Sequence, residues 1–254
     1  MHPYHRELVR QIKEQAAEGK VALQAQGDRY VGTLKPCYMF RSAVFHEIMQ
    51  AWSKRHADLT LTEYVDLLNS LSQGATYNEF ISIGVLLGAW PQMRKALEPH
   101  HLDVWLDHAQ GWAEVDTICQ SNFTAREMLC HWKEWKSLLA SFSKSGNVHK
   151  RRASLVLLTR PLRESDDPRL ARLAFANLDR LKTDKDILVT KAVSWLLRAL
   201  IKYHRQEVET YLKHNAENLP QVALRETRNK LASGRKSGRL RDRIFRSGGE
   251  DETD

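Results

Sequence analysis

Several residue types are scarce in this chain of 254 residues, and each scarcity excludes a class of protein. The chain contains three cysteines, Cys37, Cys119 and Cys130, without CxxC spacing, so neither a disulfide framework nor a zinc site is predicted. No run approaches the ~20 consecutive apolar residues of a membrane span, and the N-terminus lacks the apolar core of a signal peptide. We therefore expect a soluble protein of the reducing cytoplasm.

Glycine and proline are also few, with twelve and seven residues, whereas good helix formers are abundant. Apolar residues recur with the period of a helix, and no credible pair of strands is predicted. A capping box is expected at Thr60 and Glu63. The predicted helices are about 3–17, 39–54, 60–72, 78–87, 93–97, 102–110, 112–120, 124–140, 148–159, 168–181, 186–203, 206–215 and 220–231.

About a dozen helices joined by short turns predict an all-α fold. Stacked antiparallel pairs of the HEAT type would form a helical-repeat solenoid, an α-α superhelix whose concave face binds the ligand. Residues 1–232 are predicted to form this domain. After residue 232 the composition turns to Gly, Ser, Arg and Lys, so residues 233–254 are predicted to be a flexible basic tail with an acidic end.

The formal net charge of +8 predicts a polyanionic partner, and the charge is unevenly distributed. Residues 225–246 carry a net +7, and the last seven residues carry −4. Residues 1–224 therefore keep +5, and the segment 126–152 has the same net charge by itself. A basic groove in the folded part of the chain is the expected consequence.

The helix predicted over 186–203 has a complete core stripe without its tryptophan. Trp195 instead shares a face with Lys191, Arg198 and Lys202, at separations of three or four residues. A flat anionic ligand such as a nucleotide would cover an aromatic side chain on a basic face. The alternative, that Trp195 packs under a neighbouring helix, is equally compatible with this pattern.

Four basic residues crowd the first turn of the helix predicted over 148–159: His149, Lys150, Arg151 and Arg152. Cations at this end oppose the helix dipole, so a phosphate held between their side chains would explain the cluster. A solvated basic turn is the ordinary alternative.

Trp112 and Asp116 lie four residues apart and project from one helix face, while Glu114 is expected on a solvated face. Asp116 has no lysine or arginine at i+3 or i+4 to pair with. From spacing alone, an ordinary surface aspartate beside a partly buried tryptophan is the favoured interpretation.

These segments together resemble the AlkD-type DNA alkylation repair enzymes, which are alkylpurine DNA glycosylases built from HEAT-like repeats. The matching segments are GWAEVDTI, KRRASLVLL and VTKAVSWLLRALIKYHRQEVETYLKH. Within them, a W-x-x-x-D pair matches Trp112 and Asp116, the arginine that opens a later helix matches Arg152, and K-A-x-x-W-x-L-R matches Lys191 to Arg198. The resemblance extends over roughly residues 100–231 and is thin before that.

The N-terminal part departs from the family pattern. Tyr30 is a candidate for an early family tyrosine, but Pro36 and Arg41 do not have the spacing of the family's G-[IV]-x-x-P-x-x-R segment, which contacts the DNA backbone.

The resemblance implies base excision repair by hydrolysis of the N-glycosidic bond of cationic N3- or N7-alkylated purines in duplex DNA. It implies a monofunctional enzyme that is a monomer, needs neither metal nor cofactor, and does not draw the base into a pocket. Asp116 would stabilise the cationic sugar and hold a water, between Trp112 and Trp195. DNA contacts are implied for Arg152, as a phosphate clamp, and expected for the other candidates: Arg151, Lys191, Arg198 and Tyr30.

Two other functions fit the same residues. One is a catalytically silent HEAT-repeat protein that binds branched or damaged DNA, and the other is a solenoid scaffold that binds an acidic protein. The aspartate favours the enzyme over the first, and the tryptophans beside basic positions disfavour the second.

Overall fold

The computed structural model describes residues 1–237, and helices dominate this part of the chain. The helices are α1 (Pro3–Glu18), α2 (Ser42–Arg55), α3 (Leu61–Ser72), α4 (Tyr77–Ala89), α5 (Pro91–Ala96), α6 (His101–Asp107), α7 (Trp112–Cys119), α8 (Ala125–Cys130), α9 (Trp132–Phe142), α10 (Val148–Thr159), α11 (Pro161–Glu164), α12 (Pro168–Leu181), α13 (Ile187–Leu200), α14 (Arg205–His214) and α15 (Gln221–Ser233). The predicted all-α class is confirmed.

Threonine capping boxes define where several helices begin. At α3 the Thr60 hydroxyl accepts the Glu63 N–H, and the Glu63 carboxylate accepts the Thr60 N–H, as predicted. The same reciprocal pair opens α4, at Thr76 and Glu79, and α8, at Thr124 and Glu127. Each box satisfies backbone donors that the first helical turn leaves without partners.

Three local predictions were wrong. The helix expected over 124–140 is broken at His131, whose backbone (φ −116°, ψ 45°) is not helical, so α8 and α9 are separate. The short helix α11 was not predicted. The expected lack of strands fails at β1 (Leu23–Gln24), which pairs antiparallel with β2 (Cys37–Tyr38). Strands of two residues are too short to carry the alternation by which strands are recognised.

The helices stack in two layers. One layer is a continuous row of neighbours, α2, α4, α7, α10, α13 and α15, which we call the central row. Helices of the other layer cover it: α3 packs on α4, α9 on α10, and α12 on α13. Repeated pairs of this kind make the fold a helical-repeat solenoid.

The core lies between the two layers. The stripe predicted for α13 is fully buried, at Val189, Ala192, Val193, Leu196, Leu197 and Leu200. None of the helices within residues 1–237 combines the length and apolar character needed to cross a membrane.

Helix α15 ends at Gly234, whose left-handed backbone (φ 72°) suits a residue without a Cβ. The next residues turn back, so that the Asn229 side-chain amide donates to the Lys236 carbonyl at 3.2 Å. Most of the predicted basic tail, residues 238–254, lies outside the described residues.

Candidate active site

Four helices of the central row, α7, α10, α13 and α15, surround a cleft of about 420 Å³. We call it the Asp116 cleft. It brings together six residues that the sequence singled out, although they lie on three different helices: Trp112, Asp116, Arg152, Lys191, Trp195 and Arg198. Its remaining lining residues are Leu188, Val222, Glu226 and Lys236.

Asp116 and Arg152 form a bidentate ion pair within this cleft. Arg152 Nε donates to Asp116 Oδ1 at 2.9 Å, and Nη2 donates to Oδ2 at 2.7 Å. Arg152 Nη1 donates to the Leu188 carbonyl at 2.6 Å, which joins α10 to the start of α13. Asp116 is 8% exposed and Arg152 is 5% exposed. The interpretation of Asp116 as an ordinary surface aspartate is therefore wrong. Spacing did not reveal its partner, Arg152, because the two residues are 36 positions apart in the chain.

Two opposing influences set the protonation of Asp116. Burial raises the pKa of its carboxyl above the ordinary value, because the charged form loses hydration. The hydrogen bonds and positive charge of Arg152 lower the pKa and offset part of that rise. The net direction is upward, so Asp116 holds its proton more tightly than an exposed aspartate would.

Trp112 is fixed beside Asp116 by the N-terminal segment of the chain. Its indole Nε1 donates to the Tyr30 carbonyl at 2.7 Å. The Tyr30 ring meets the Trp112 ring edge-on, with centroids 5.9 Å apart and planes at 84°. Tyr30 itself is 80% exposed, so it presents a free aromatic surface beside the cleft.

Close backbone approach explains the glycine before Trp112. A Cβ on Gly111 would lie 2.6 Å from both the Gly32 carbonyl carbon and the Val31 oxygen. Gly32 has a φ of +78°, which a residue with a Cβ adopts only with strain. Two glycines thus let the loop before β2 pack directly on the first turn of α7.

Glu114 anchors the loop before β2 from a buried position, so the prediction that it is solvated is wrong. Its side chain is fully buried, accepts the Thr33 hydroxyl at 2.9 Å and lies 3.7 Å from Lys35 Nζ. It also accepts backbone N–H groups of Gln110 and Gly111, which precede α7. The glutamate at this position therefore serves as an internal cap, and it orients the helix that carries Trp112 and Asp116.

The predicted face of α13, which carries Lys191, Trp195 and Arg198, lines the Asp116 cleft. Trp195 is half-buried against the core and lines the cleft, while Lys191 is exposed at its edge. The alternative that Trp195 packs against neighbouring helices is therefore confirmed in part, while its contact with a nucleotide stays a prediction.

The basic first turn of α10 has partners that its sequence did not suggest. Lys150 Nζ lies 2.8 Å from Asp103 and 2.7 Å from Asp107, both on α6. Arg151 Nε donates to Asp184 at 2.8 Å, so Arg151 lies outside the Asp116 cleft. These two cations are therefore paired with carboxylates of α6 and of the loop between α12 and α13.

Two cleft residues, Glu226 and Lys236, were missed by sequence reasoning. Glu226 accepts the Ser194 hydroxyl at 2.6 Å and lies 3.6 Å from Arg198 Nη2 and 3.2 Å from Lys236 Nζ. An available signal was that Glu226 is a lone acid within the basic run RETRNKLASGRK.

This arrangement defines a class: a helical-repeat protein with a buried carboxylate, two tryptophans and several cations in one surface cleft. The family model described as DNA alkylation repair enzyme matches residues 12–231, and the chain belongs to that family. Comparison with curated proteins finds no match. Family membership indicates an enzyme of DNA repair, with DNA as its partner.

Proposed function

We propose that the protein is a monofunctional DNA glycosylase. Its substrates would be cationic N3- or N7-alkylated purines in duplex DNA, and its reaction hydrolysis of the bond between base and deoxyribose. The observation that carries the proposal is the buried Asp116 carboxylate, which lines a surface cleft together with Trp112 and Trp195.

The chemistry requires little help for the leaving group, because an alkylated purine cation departs as a neutral base. The bonding electrons leave with the base, and the positive charge develops on the sugar. A carboxylate ~4 Å from that charge contributes ~4 kcal/mol at an effective dielectric of ~20, about a thousandfold in rate if the interaction is made only in the transition state. A water then bonds to the sugar carbon, and its proton passes to Asp116 and on to solvent.

Arg152 supports Asp116 in this mechanism. Its guanidinium holds the carboxylate in one orientation and favours the ionised form. Arg152 lines the cleft and has N–H donors beyond the three used by Asp116 and Leu188, so it can also contact the phosphate beside the lesion. Lys191 and Arg198 would bind the neighbouring backbone.

Trp112 and Trp195 would stabilise the sugar cation through their ring faces. Tyr30, exposed next to Trp112, would contact the DNA strand beside the cleft. The Asp116 cleft lies on the central row, where a HEAT-type solenoid would present a concave basic groove to the duplex. Because the cleft opens at the surface, the alkylated base would not need to enter a deep pocket.

Release of methylpurine from alkylated duplex DNA tests this proposal, with wild type, Asp116→Asn and Asp184→Asn assayed together. Asp184 is a matched control, since it pairs with the adjacent Arg151 but lies outside the cleft. We expect the Asp116 variant to lose about a thousandfold in rate with DNA affinity nearly unchanged, and the control to keep its activity. Equal rates for Asp116→Asn and wild type would reject the assigned role.

One observation favours a second candidate, a non-catalytic protein that binds branched or damaged DNA. Both oxygens of Asp116 are engaged by Arg152, which compensates the carboxylate charge before any substrate arrives. The same assay separates the two functions, because a silent binder would release no base while retaining salt-dependent DNA binding.

A further inference from the structure

A second cavity, of about 410 Å³, adjoins the Asp116 cleft. We call it the basic cavity. The two spaces share three residues, Trp195, Arg198 and Lys236, which form the wall between them. Five of the eight residues that line the basic cavity are cationic: Arg163, Arg198, Lys202, Lys230 and Lys236.

Three of these cations have no acidic partner among residues 1–237. Lys202 Nζ donates to the Arg163 carbonyl at 2.5 Å, and Lys230 Nζ donates to the Gly234 carbonyl at 2.6 Å. Carbonyl oxygens accept these hydrogen bonds but do not cancel the charge. Around the first turn of α10, by contrast, Lys150 and both arginines are paired with aspartates.

Glu226 contacts both cations of the shared wall from the side of the Asp116 cleft. It lies 3.6 Å from Arg198 and 3.2 Å from Lys236. Burial lowers the pKa of Arg198, the Glu226 charge opposes that fall, and nearby Arg163 adds to it. One carboxylate thus holds two cations in place, and it leaves the far side of the basic cavity uncompensated.

We propose that the basic cavity binds a single phosphodiester group of the DNA strand that crosses the Asp116 cleft. This proposal rests on the proposed function for the position of the strand. A phosphate has several strong acceptor oxygens, which suit convergent lysine and arginine donors. Because the wall is shared, a phosphate bound here lies within a nucleotide or two of the sugar beside Asp116, and it fixes the register of the strand.

The first experiment measures how salt weakens binding to a duplex that contains an abasic-site analogue. Arg163→Gln and Lys202→Gln are compared with Arg10→Gln, an exposed arginine on α1 that pairs with Glu14 and lines neither the cleft nor the cavity. Each cavity variant should lower the salt slope by about one and so reduce the loss of affinity across a fourfold salt range by about three- to fourfold. The control should keep the wild-type slope.

Replacing single phosphates by neutral methylphosphonates identifies the group that is bound. In wild type, one position near the analogue should weaken binding several-fold, and that penalty should disappear in Arg163→Gln while the other positions keep theirs. Penalties that are unchanged in the variant at every position would overturn the proposal. Arg163→Lys, which retains the charge, should restore most of the positional effect.

Inorganic phosphate presents the same acceptor oxygens as a phosphodiester of DNA and is the other ligand that the basic cavity could bind. If inorganic phosphate stabilises wild type but not Arg163→Gln against heat, and the methylphosphonate pattern is identical in both, the cavity binds small phosphates instead of DNA. None of these measurements uses base release. A protein that releases no base but shows the positional effect would disprove the glycosylase and retain the phosphate site, whereas base release without the effect would do the reverse.

Discussion

The Asp116 cleft and the basic cavity share one wall but differ in whether their cations have carboxylate partners. In the cleft, the buried Arg152 is paired with Asp116, and Arg198 is paired with Glu226. In the cavity, Arg163, Lys202 and Lys230 have no carboxylate partner among residues 1–237. A buried cation needs a carboxylate partner because loss of its hydration is costly. A cation at the surface stays hydrated and needs no partner until a ligand binds. The first kind organises the cleft, and in our proposal the second binds DNA.

The largest effect on stability should come from breaking the compensated pair. Arg152→Ala leaves Asp116 buried without its partner, so the free energy of unfolding should fall by about 3–5 kcal/mol. Arg163→Ala, in the basic cavity, should change it by less than about 0.5 kcal/mol. Urea denaturation measures both. Similar losses in the two variants would remove the distinction between the two regions, and adding Asp116→Asn to Arg152→Ala should recover part of the loss.

A smaller effect is expected from moving α7 without touching any charge. A Cβ on Gly84 of α4 would lie 2.2 Å from the Thr117 carbonyl oxygen, so Gly84→Ala should push α7 away and cost about 1–3 kcal/mol. Base release should fall because Trp112 and Asp116 move, while the salt slope of DNA binding should stay constant because the basic cavity is untouched.

Gly88→Ala, one turn further along α4, is the matched control. The nearest atom to its Cβ would be Asn122 Oδ1 at 3.6 Å, an ordinary contact. Thermal unfolding should show no loss, or a gain of up to about 1 kcal/mol from helix propensity. If both alanines destabilise equally, the close approach of α4 and α7 is not what positions the cleft.

The smallest effect concerns pH. In the proposed mechanism Asp116 acts only when ionised. Because burial raises its pKa, base release should decline on acidification at a higher pH than an exposed aspartate would give, by about tenfold per pH unit. DNA binding should not follow this decline, because lysine and arginine keep their charge in acid. Arg152→Gln should move the decline to still higher pH, and an unshifted profile would dissociate Arg152 from the ionisation of Asp116.

Much of the fold could be predicted because helices are encoded locally. The α13 pattern identified both the buried stripe and the face that carries Lys191, Trp195 and Arg198, since residues three or four apart share a face in any helix. The break at His131 and the two-residue strands were missed because their signals are too short. Glu114 was misplaced, because its burial depends on a loop that precedes it by about eighty residues.

The sequence by itself determined the helices, the faces on which Trp112, Asp116 and Trp195 stand, and the resemblance to a DNA-repair family. The tertiary structure alone decided which charges are compensated: Asp116 by Arg152, Arg151 by Asp184, and Lys150 by two aspartates of α6. Those pairs join residues distant in the chain, and their distances depend on how the helices pack. The same packing leaves Arg163, Lys202 and Lys230 without a carboxylate partner among residues 1–237, which is why we propose that an anionic strand binds there.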